Sequence, residues 1–532
     1  MDIGDPVISR RTLLRGVPVL GAGLAGLLGG CGPAGGGAAR TLTLAVDGTS
    51  AVHDPAFYST IGDWMAVDCI CRGLTFISFD DVEPVPDLAE SWTVSGDRLT
   101  YTFTLRRDVT FHNGAAFTSA DVLASLNRQF DDTDPTLPVG ASRPLRSLGQ
   151  NVAELTAPDP GTVVLRLARP DRTLLGRLAD IGARILSKAA LDEHGRDIGR
   201  HPVGAGPFRF VSAAAGQNVV LEAFDGYRLG RPPVDRLVLQ QVTDPSAIVS
   251  SLLSGDLSAT QFTPYSALDW LREDDDLVVY DTPKSCAAFL MIDVRRIPEL
   301  AVRKAINLAV DRESIVRQVF FGAAVTPDGY TVAPDQDAHD PTLADLSRTD
   351  VAAAARLIRD AGATGRTVRL MSASDSWHPR AAQIIAQNLA AIGLQVETDT
   401  VDPAGYFSRL LDPDDPFHEL MIWERNSYYP DADDMIGVLA RPSGVYGDLI
   451  SGFAGLPGAA GWAGILFDAK NIADPRARRA RYTRIQRDWA GTYMTLVMLA
   501  HAANPVVSRR NVQHLNWKAL GNHRCYLDTA DV

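Results

Sequence analysis

Leu99, Tyr101, Phe103 and Leu105 occupy alternate positions, with Thr100, Thr102, Thr104 and Arg106 between them. A period of two predicts a strand with one buried face. Asn113-Gly114 downstream is a turn dipeptide. Thr118-x-x-Asp121 has the form of a capping box, and Val122, Leu123, Leu126 and Phe130 behind it keep helical spacing. Strand, turn and capped helix therefore follow one another over 86–130. A second apolar strand set lies at Val152, Leu155, Val163, Val164, Leu165 and Leu167, beyond a Pro/Asp-rich loop at 131–150.

The same reading extends along the chain. Thr41–Val46 predicts an opening strand and 60–73 a helix, on which Trp64 fits either a core or a cleft. Leu237-Val-Leu-Gln reads as a strand and Pro245–Leu253 as a helix. Ala287–Asp293 is an apolar strand. Val302, Ile306, Leu308 and Ala309 share a helical face, and Asp311 caps the next helix at Glu313–Val319. An Ala-rich helix at 350–361 ends at Gly362. Strand Thr367–Met371, helix Ala381–Ile392 and strand Leu394–Thr398 follow. That βαβ order predicts an α/β fold with a part-parallel sheet. FHELMIW at 417–423 is another buried strand, and a helix at about 475–490 leads into strand Met494–Leu499.

Composition narrows the class. A chain of 532 residues exceeds one small core, so two or three domains are expected. A net charge of -13 without a basic block argues against nucleic acid as a partner. Arg476, Arg478, Arg479, Arg481 and Arg484 lie on a predicted helix and read as a solvated face. At the N-terminus, Ser9-Arg10-Arg11-Thr12-Leu13-Leu14 resembles a twin-arginine export signal. The apolar run behind it ends in Leu28-Gly29-Gly30-Cys31, which resembles a lipobox with Cys31 as the lipidated residue. A GxGxxG match at Gly21–Gly26 follows no strand and is a false dinucleotide motif. Residues 31–40 read as a flexible tether. Cys69 and Cys71 are too close in sequence for an easy bond, so Cys286 with Cys525 is the pair to test for a disulfide.

Catalytic signals are missing: the chain has no HExxH, no GxSxG and no phosphate loop. His201, His339, His378 and His418 read as surface or capping residues. Asp412, Asp414 and Asp415, and Asp431, Asp433 and Asp434, form acidic clusters without the ligand order of a calcium loop, and read as solvated loops. Trp423-Glu424-Arg425-Asn426-Ser427-Tyr428-Tyr429 follows a buried strand, where α/β clefts usually lie. Its aromatic residues suit either ligand contact or packing between lobes.

Particular words carry a resemblance: LAESW at 88–92, TYTFTLRRDVTFHNG at 100–114, FTSADV at 117–122 and AVRKAINLAVDRESI at 301–315. Gly204-Ala-Gly206-Pro207-Phe208, read as a tight turn, and Phe224-Asp225-Gly226-Tyr227 add to it. The chain resembles the family-five solute-binding proteins of ABC importers, the peptide- and nickel-binding class. The resemblance implies a two-lobe periplasmic-binding-protein-like fold of type II, cluster C, with an inserted α+β subdomain. Its implied division is an export signal at 1–30 and a tether at 31–40. Lobe I is then 41–73, 201–286 and 491–532, with the subdomain at 74–200, and lobe II is 287–490.

It also implies hinge closure over a solute, delivery to a membrane permease and ATPase complex, a lipid anchor at Cys31, a monomer, and no cofactor, metal or catalytic residue. Peptide is the first ligand class, and an oligosaccharide or metal chelate the next. A lipoprotein hydrolase and a surface sensor or interaction protein are the readings from other classes. Candidate ligand contacts are Thr49, Ser50 and Tyr58 after the first strand, Trp377 ahead of the long helix, and Trp423, Glu424, Arg425, Asn426, Tyr428 and Tyr429. In peptide-binding members an acidic residue three positions after the Trp meets the ligand ammonium, and this chain has Asn426 there. The Arg that meets the carboxylate in dipeptide-binding members falls near Ser372. Both charged clamps are thus missing from their usual places, and Glu424 and Arg425 could supply substitute charges in another register.

Overall fold

The structure, a computed structural model, describes residues 39–532 apart from 58–59, 78–82, 132, 142, 375–376, 403–404, 407–408, 410–411, 413–417, 428–430, 443–444 and 519–522. The export signal, Cys31, Tyr58, Tyr428 and Tyr429 lie outside the described residues.

Unbroken apolar runs form the centres of two large sheets. In the first, the strand order is Leu277–Tyr280, Val506–Arg509, Ala259–Thr260, Thr41–Val46, Arg236–Gln241, Asn218–Ala223, Phe208–Ala214. Thr41–Val46 runs parallel to Arg236–Gln241, with Leu42 beside Leu237 and Leu44 beside Leu239, all four fully buried. In the second, the order is Ala324–Val325, Leu496–Ala502, Cys286–Ile292, Leu420–Arg425, Thr367–Ala373, Gln395–Val401. Every residue of Cys286–Ile292 and of Leu496–Ala502 is buried, because helices or loops cover both faces of these central strands. Thr367–Ala373 and Gln395–Val401 are parallel, with helix His378–Ala391 between them, which is the predicted βαβ unit.

A third sheet is antiparallel, in the order Ala89–Val94, Thr100–Leu105, Thr162–Leu167, Val152–Asp159. The period of two predicted at 99–106 is realised: Tyr101, Phe103 and Leu105 turn into a core shared with Phe111, Leu126 and Leu165. Helix Ser119–Phe130 starts where predicted, and the Thr118 N–H donates to Asp121 Oδ2 at 2.8 Å. Asp311 likewise accepts from the Ser314 N–H at 3.0 Å and caps helix Arg312–Gln318.

The chain crosses between the two large sheets at 281–285 and at 503–505. The second crossing corrects the expected boundary at 491. Leu496–Ala502 pairs with Cys286–Ile292 in the second sheet, and the return to the first begins with Val506. Two further expectations change. Cys286 and Cys525 sit in different hydrophobic cores and all four described cysteines are free thiols, so no disulfide joins them. Gly204 and Gly206 serve close approach rather than a tight turn: a Cβ would stand 2.1 Å from the Ile70 carbonyl oxygen at the first and 2.3 Å from that of Cys69 at the second. Among the described residues no helix is long and apolar enough to cross a membrane.

Candidate functional site

Strand alternation divides the Trp423–Asn426 stretch between two sides of the second sheet. Leu420 and Ile422 point into the core that holds Trp377 and Ile385. Met421 and Trp423 point into the opposite core. Glu424 therefore falls on the Trp377 side. The Trp377 Nε1–H donates to Glu424 Oε2 at 2.6 Å. Trp377 stacks on His378, with ring centres 4.2 Å apart, and tilts against Phe320 at 5.1 Å. Phe320 meets the edge of Tyr265 at 5.1 Å. Tyr265 follows strand Ala259–Thr260 of the first sheet, and its hydroxyl donates to the Ala503 carbonyl on the crossing segment at 2.8 Å. A row of rings thus runs from Glu424 to the seam between the sheets. Burial, reinforced by the Glu424 charge, holds both the Tyr265 hydroxyl and the Cys286 thiol in their protonated forms.

On the other face the Trp423 indole and the Arg425 guanidinium take partners from within the second-sheet half. Trp423 stacks on Tyr406, with the planes 4° apart, and its Nε1–H donates to the Tyr446 hydroxyl at 3.3 Å. Arg425 is buried and donates to Asp434 Oδ1 at 2.9 Å, while the Ser427 hydroxyl donates to Asp434 Oδ2 at 3.0 Å. This corrects the reading of the second acidic cluster as a solvated loop. Asp431 caps helix Ala432–Leu439, and Asp433 and Asp434 are buried on it. Burial pushes the Asp433 carboxyl up to about 6. The arginine run is corrected in the same way at one position: Arg478 is fully buried, bonded to Asp337 and Asp431, while Arg476, Arg479 and Arg484 are exposed. His378 and His418 are buried rather than on the surface.

Asn426 joins the two halves. Its Nδ2 donates to His523 Nε2 at 2.6 Å, and its Oδ1 accepts from Asn504 Nδ2 at 2.8 Å. His523 Nδ1 donates to Gln261 Oε1 at 2.6 Å. One neutral tautomer satisfies all of these bonds: Nδ1 carries the proton and Nε2 accepts. Burial, with the Arg524 charge beside it, pulls the His523 imidazole down to about 4. Trp64 belongs to the first-sheet core and lies beside His523. Thr49 and Ser50 are held by neighbouring elements of the first-sheet half: the Thr49 N–H donates to Gln241 Oε1 at 3.0 Å, at the end of strand Arg236–Gln241, and the Ser50 N–H to Asp63 Oδ1 at 2.8 Å, on helix Ile61–Ile70. Ser372 is fully buried in its strand.

Of the sequence candidates, Trp377, Glu424 and Asn426 are thus brought to the seam. Trp423 and Arg425 face away from it. Tyr265, Gln261, Phe320, Asn504 and His523 were not singled out by sequence reasoning. In sequence Asn504 stands 78 residues from Asn426 and His523 stands 262 from Gln261, and no local pattern marks them. Among the described residues no group of His, Cys, Asp and Glu is arranged to hold a metal ion.

Comparison with known proteins adds to this geometry. The family model described as bacterial extracellular solute-binding proteins, family 5 Middle, matches residues 83–447. The glutathione-binding protein GsiB of Salmonella choleraesuis (strain SC-B67) is 31% identical over 325 residues, which is 59% of this chain and 60% of that one. The chain therefore spans less than two thirds of that relative's length. The structure of the periplasmic binding protein DppA from Helicobacter pylori in complex with peptide STSA superposes with a TM-score of 0.81 at 22% identity, over 93% of this chain and 98% of that one. The dipeptide binding protein from Pseudoalteromonas sp. SM9913 in complex with Met-Leu gives 0.83 at 20% identity, over 92% and 100%. These likenesses show the expected fold, a mixed α/β type II periplasmic-binding architecture.

Proposed function

The chain belongs to the bacterial extracellular solute-binding proteins of family 5, and on that premise we propose that it captures a solute for an ABC importer. The family is one of substrate-binding transport proteins. The ligand class we favour is a short peptide, a choice supported by the relative named for glutathione. The observation that carries the reading is the seam. Strand Leu420–Arg425 ends where Glu424 and Asn426 face Tyr265, Gln261 and His523 of the other half, and the chain crosses there twice. Two crossing segments can act as a hinge while each sheet stays rigid. In this reading the first sheet, with the subdomain at 74–200, is one lobe, and 287–502 is the other. Capture needs no covalent step, and no residue is assigned to catalysis.

We place the protein outside the cytoplasm as a monomer, tethered by a lipid on Cys31 and handing its solute to a permease and ATPase complex. The apolar segment ahead of Cys31 supports that placement. Cys31→Ala should release mature-size protein from membranes, and unchanged retention would remove the anchor from the account. Mass spectrometry of what full-length protein releases on denaturation tests the function itself. A defined small solute that shifts the tryptophan fluorescence of the stripped protein is the expected result. A non-peptide solute would keep the transport role and change the ligand class. Absence of any bound or rebinding solute would favour a sensor or interaction protein on the same fold.

A further inference from the structure

Side-chain contacts lay the end of the chain across helix Ile61–Ile70. The Arg524 guanidinium lies over the Trp64 ring at 5.2 Å and stands 3.9 Å from Asp68 Oδ2. The Tyr526 hydroxyl accepts from Arg184 Nη2 at 3.0 Å, and the same guanidinium pairs with Asp68 at 2.7 Å. Between these two anchors, Cys525 meets Cys69 of the helix, and both are fully buried in one hydrophobic core. The Cys69 thiol donates to the Cys525 carbonyl oxygen at 3.4 Å, and the Cys525 thiol stands beside it. A disulfide requires two backbones close enough for their side chains to meet, and this contact supplies that closeness. Burial, with the Cys525 thiol next to it, keeps the Cys69 thiol protonated. The other two described thiols are placed elsewhere. Cys71 ends the helix and lies under Gly204, where a Cβ would stand 2.8 Å from its sulfur. Cys286 belongs to a core of the second sheet.

We propose that Cys69 and Cys525 are a disulfide-forming pair that staples the C-terminal tail to helix Ile61–Ile70 when the protein meets an oxidant. The oxidant is a second disulfide, carried by a small molecule or by another protein. The thiolate of one cysteine attacks it, releases one thiol and leaves a mixed disulfide. The thiolate of the other displaces the second thiol and closes the S–S bond. Two protons and two electrons leave the pair, and the reagent takes them up as two thiols. Because both sulfurs are fully buried, exchange takes place while the tail is lifted from the helix, and the docked tail then shields the bond. The staple bears on the seam, since His523, two residues before Cys525, holds Asn426 of the other half. It fixes that side of the bridge whichever solute is captured.

The test uses purified full-length protein, fully reduced and then incubated with excess oxidised glutathione in a series of urea concentrations below the unfolding midpoint. After acid quenching and alkylation, digestion without reductant and tandem mass spectrometry locate the cross-links. A Cys69–Cys525 linkage in most molecules is the expected result, with Cys71 and Cys286 unlinked and formation faster as urea loosens the tail. Cys71→Ala should form the same linkage at the same rate, which separates Cys69 from its near neighbour. Returned to buffer, the oxidised protein should melt about 2 °C or more above the reduced protein. Cys525→Ala should show no such difference; if that variant folds poorly, the mapping and melting of the unaltered protein decide alone. Glutathione adducts without the linkage, a linkage through any other cysteine in its place, or equal melting of the oxidised and reduced forms would overturn the proposal.

Discussion

Trp423 and Glu424 are adjacent on one strand and serve opposite sides of the second sheet. On the Trp423 side, Tyr406 and Tyr446 hold the indole and Asp434 pairs with the neighbouring guanidinium, all from within the same half. On the Glu424 side, the carboxylate is bonded by one indole N–H and faces residues that arrive from the other half. One face takes its partners from its own half, and the other meets residues that arrive from across the seam. A contiguous run of polar and aromatic residues at the end of a strand is therefore not one binding surface, because the period of two divides it.

The comparison can be broken most forcefully at Arg425. Arg425→Met leaves Asp434 buried without its cation and should cost about 3–5 kcal/mol of folding stability in denaturant unfolding. Glu424→Gln should cost less than about 1 kcal/mol, since its indole bond survives. Equal losses from the two variants would make Glu424 a structural residue and erase the distinction between the faces.

A smaller effect is expected at Lys470, which joins the second-sheet half to the subdomain through Asp171 at 2.7 Å. Lys470→Met leaves Asp171 with Arg177 at 3.8 Å and should cost about 1–3 kcal/mol. A loss as large as that at Arg425 would show that the contact between halves matters as much as the pairing within one.

Smaller again, and dependent on pH, is the bridge through His523. An imidazole whose pKa is pulled from 6.5 to about 4 in the folded state contributes its full stability above pH 6.5 and loses it as pH falls toward 4. Asn426→Asp replaces the amide donor at Nε2 with a carboxylate, which suits a protonated ring. We expect it to cost about 1–2 kcal/mol at pH 8 and progressively less as pH falls below 6. The difference in melting temperature between this variant and the parent, followed from pH 8 to pH 5, checks the sign. A difference that does not shrink with acidification would contradict the neutral tautomer assigned to His523.

The elements were legible where a pattern is local. Alternation at 99–106, the Thr118 and Asp121 cap and the βαβ unit at 367–401 were each readable from spacing, because a few neighbouring residues decide them. The counter-charges were not. Asp433 and Asp434 look like a solvated acidic loop until Arg425, and the Arg478 that reaches Asp431, are seen to fold onto that helix. The site was legible in part: Trp377, Glu424 and Asn426 were singled out, but nothing in the spacing of the chain joins residue 424 to 377 or 426 to 523. Ser372 shows the converse, a position suggested by counting along the chain that the strand buries completely.

Hydrogen–deuterium exchange on the full-length protein, with and without the solute that co-purifies with it, tests the seam most directly. The account predicts new protection on solute addition at 420–427, 259–265 and 503–505, with the third sheet at 89–167 unchanged. Protection confined to other surfaces, such as the tail around His514–Lys518, with the seam unaltered, would contradict it.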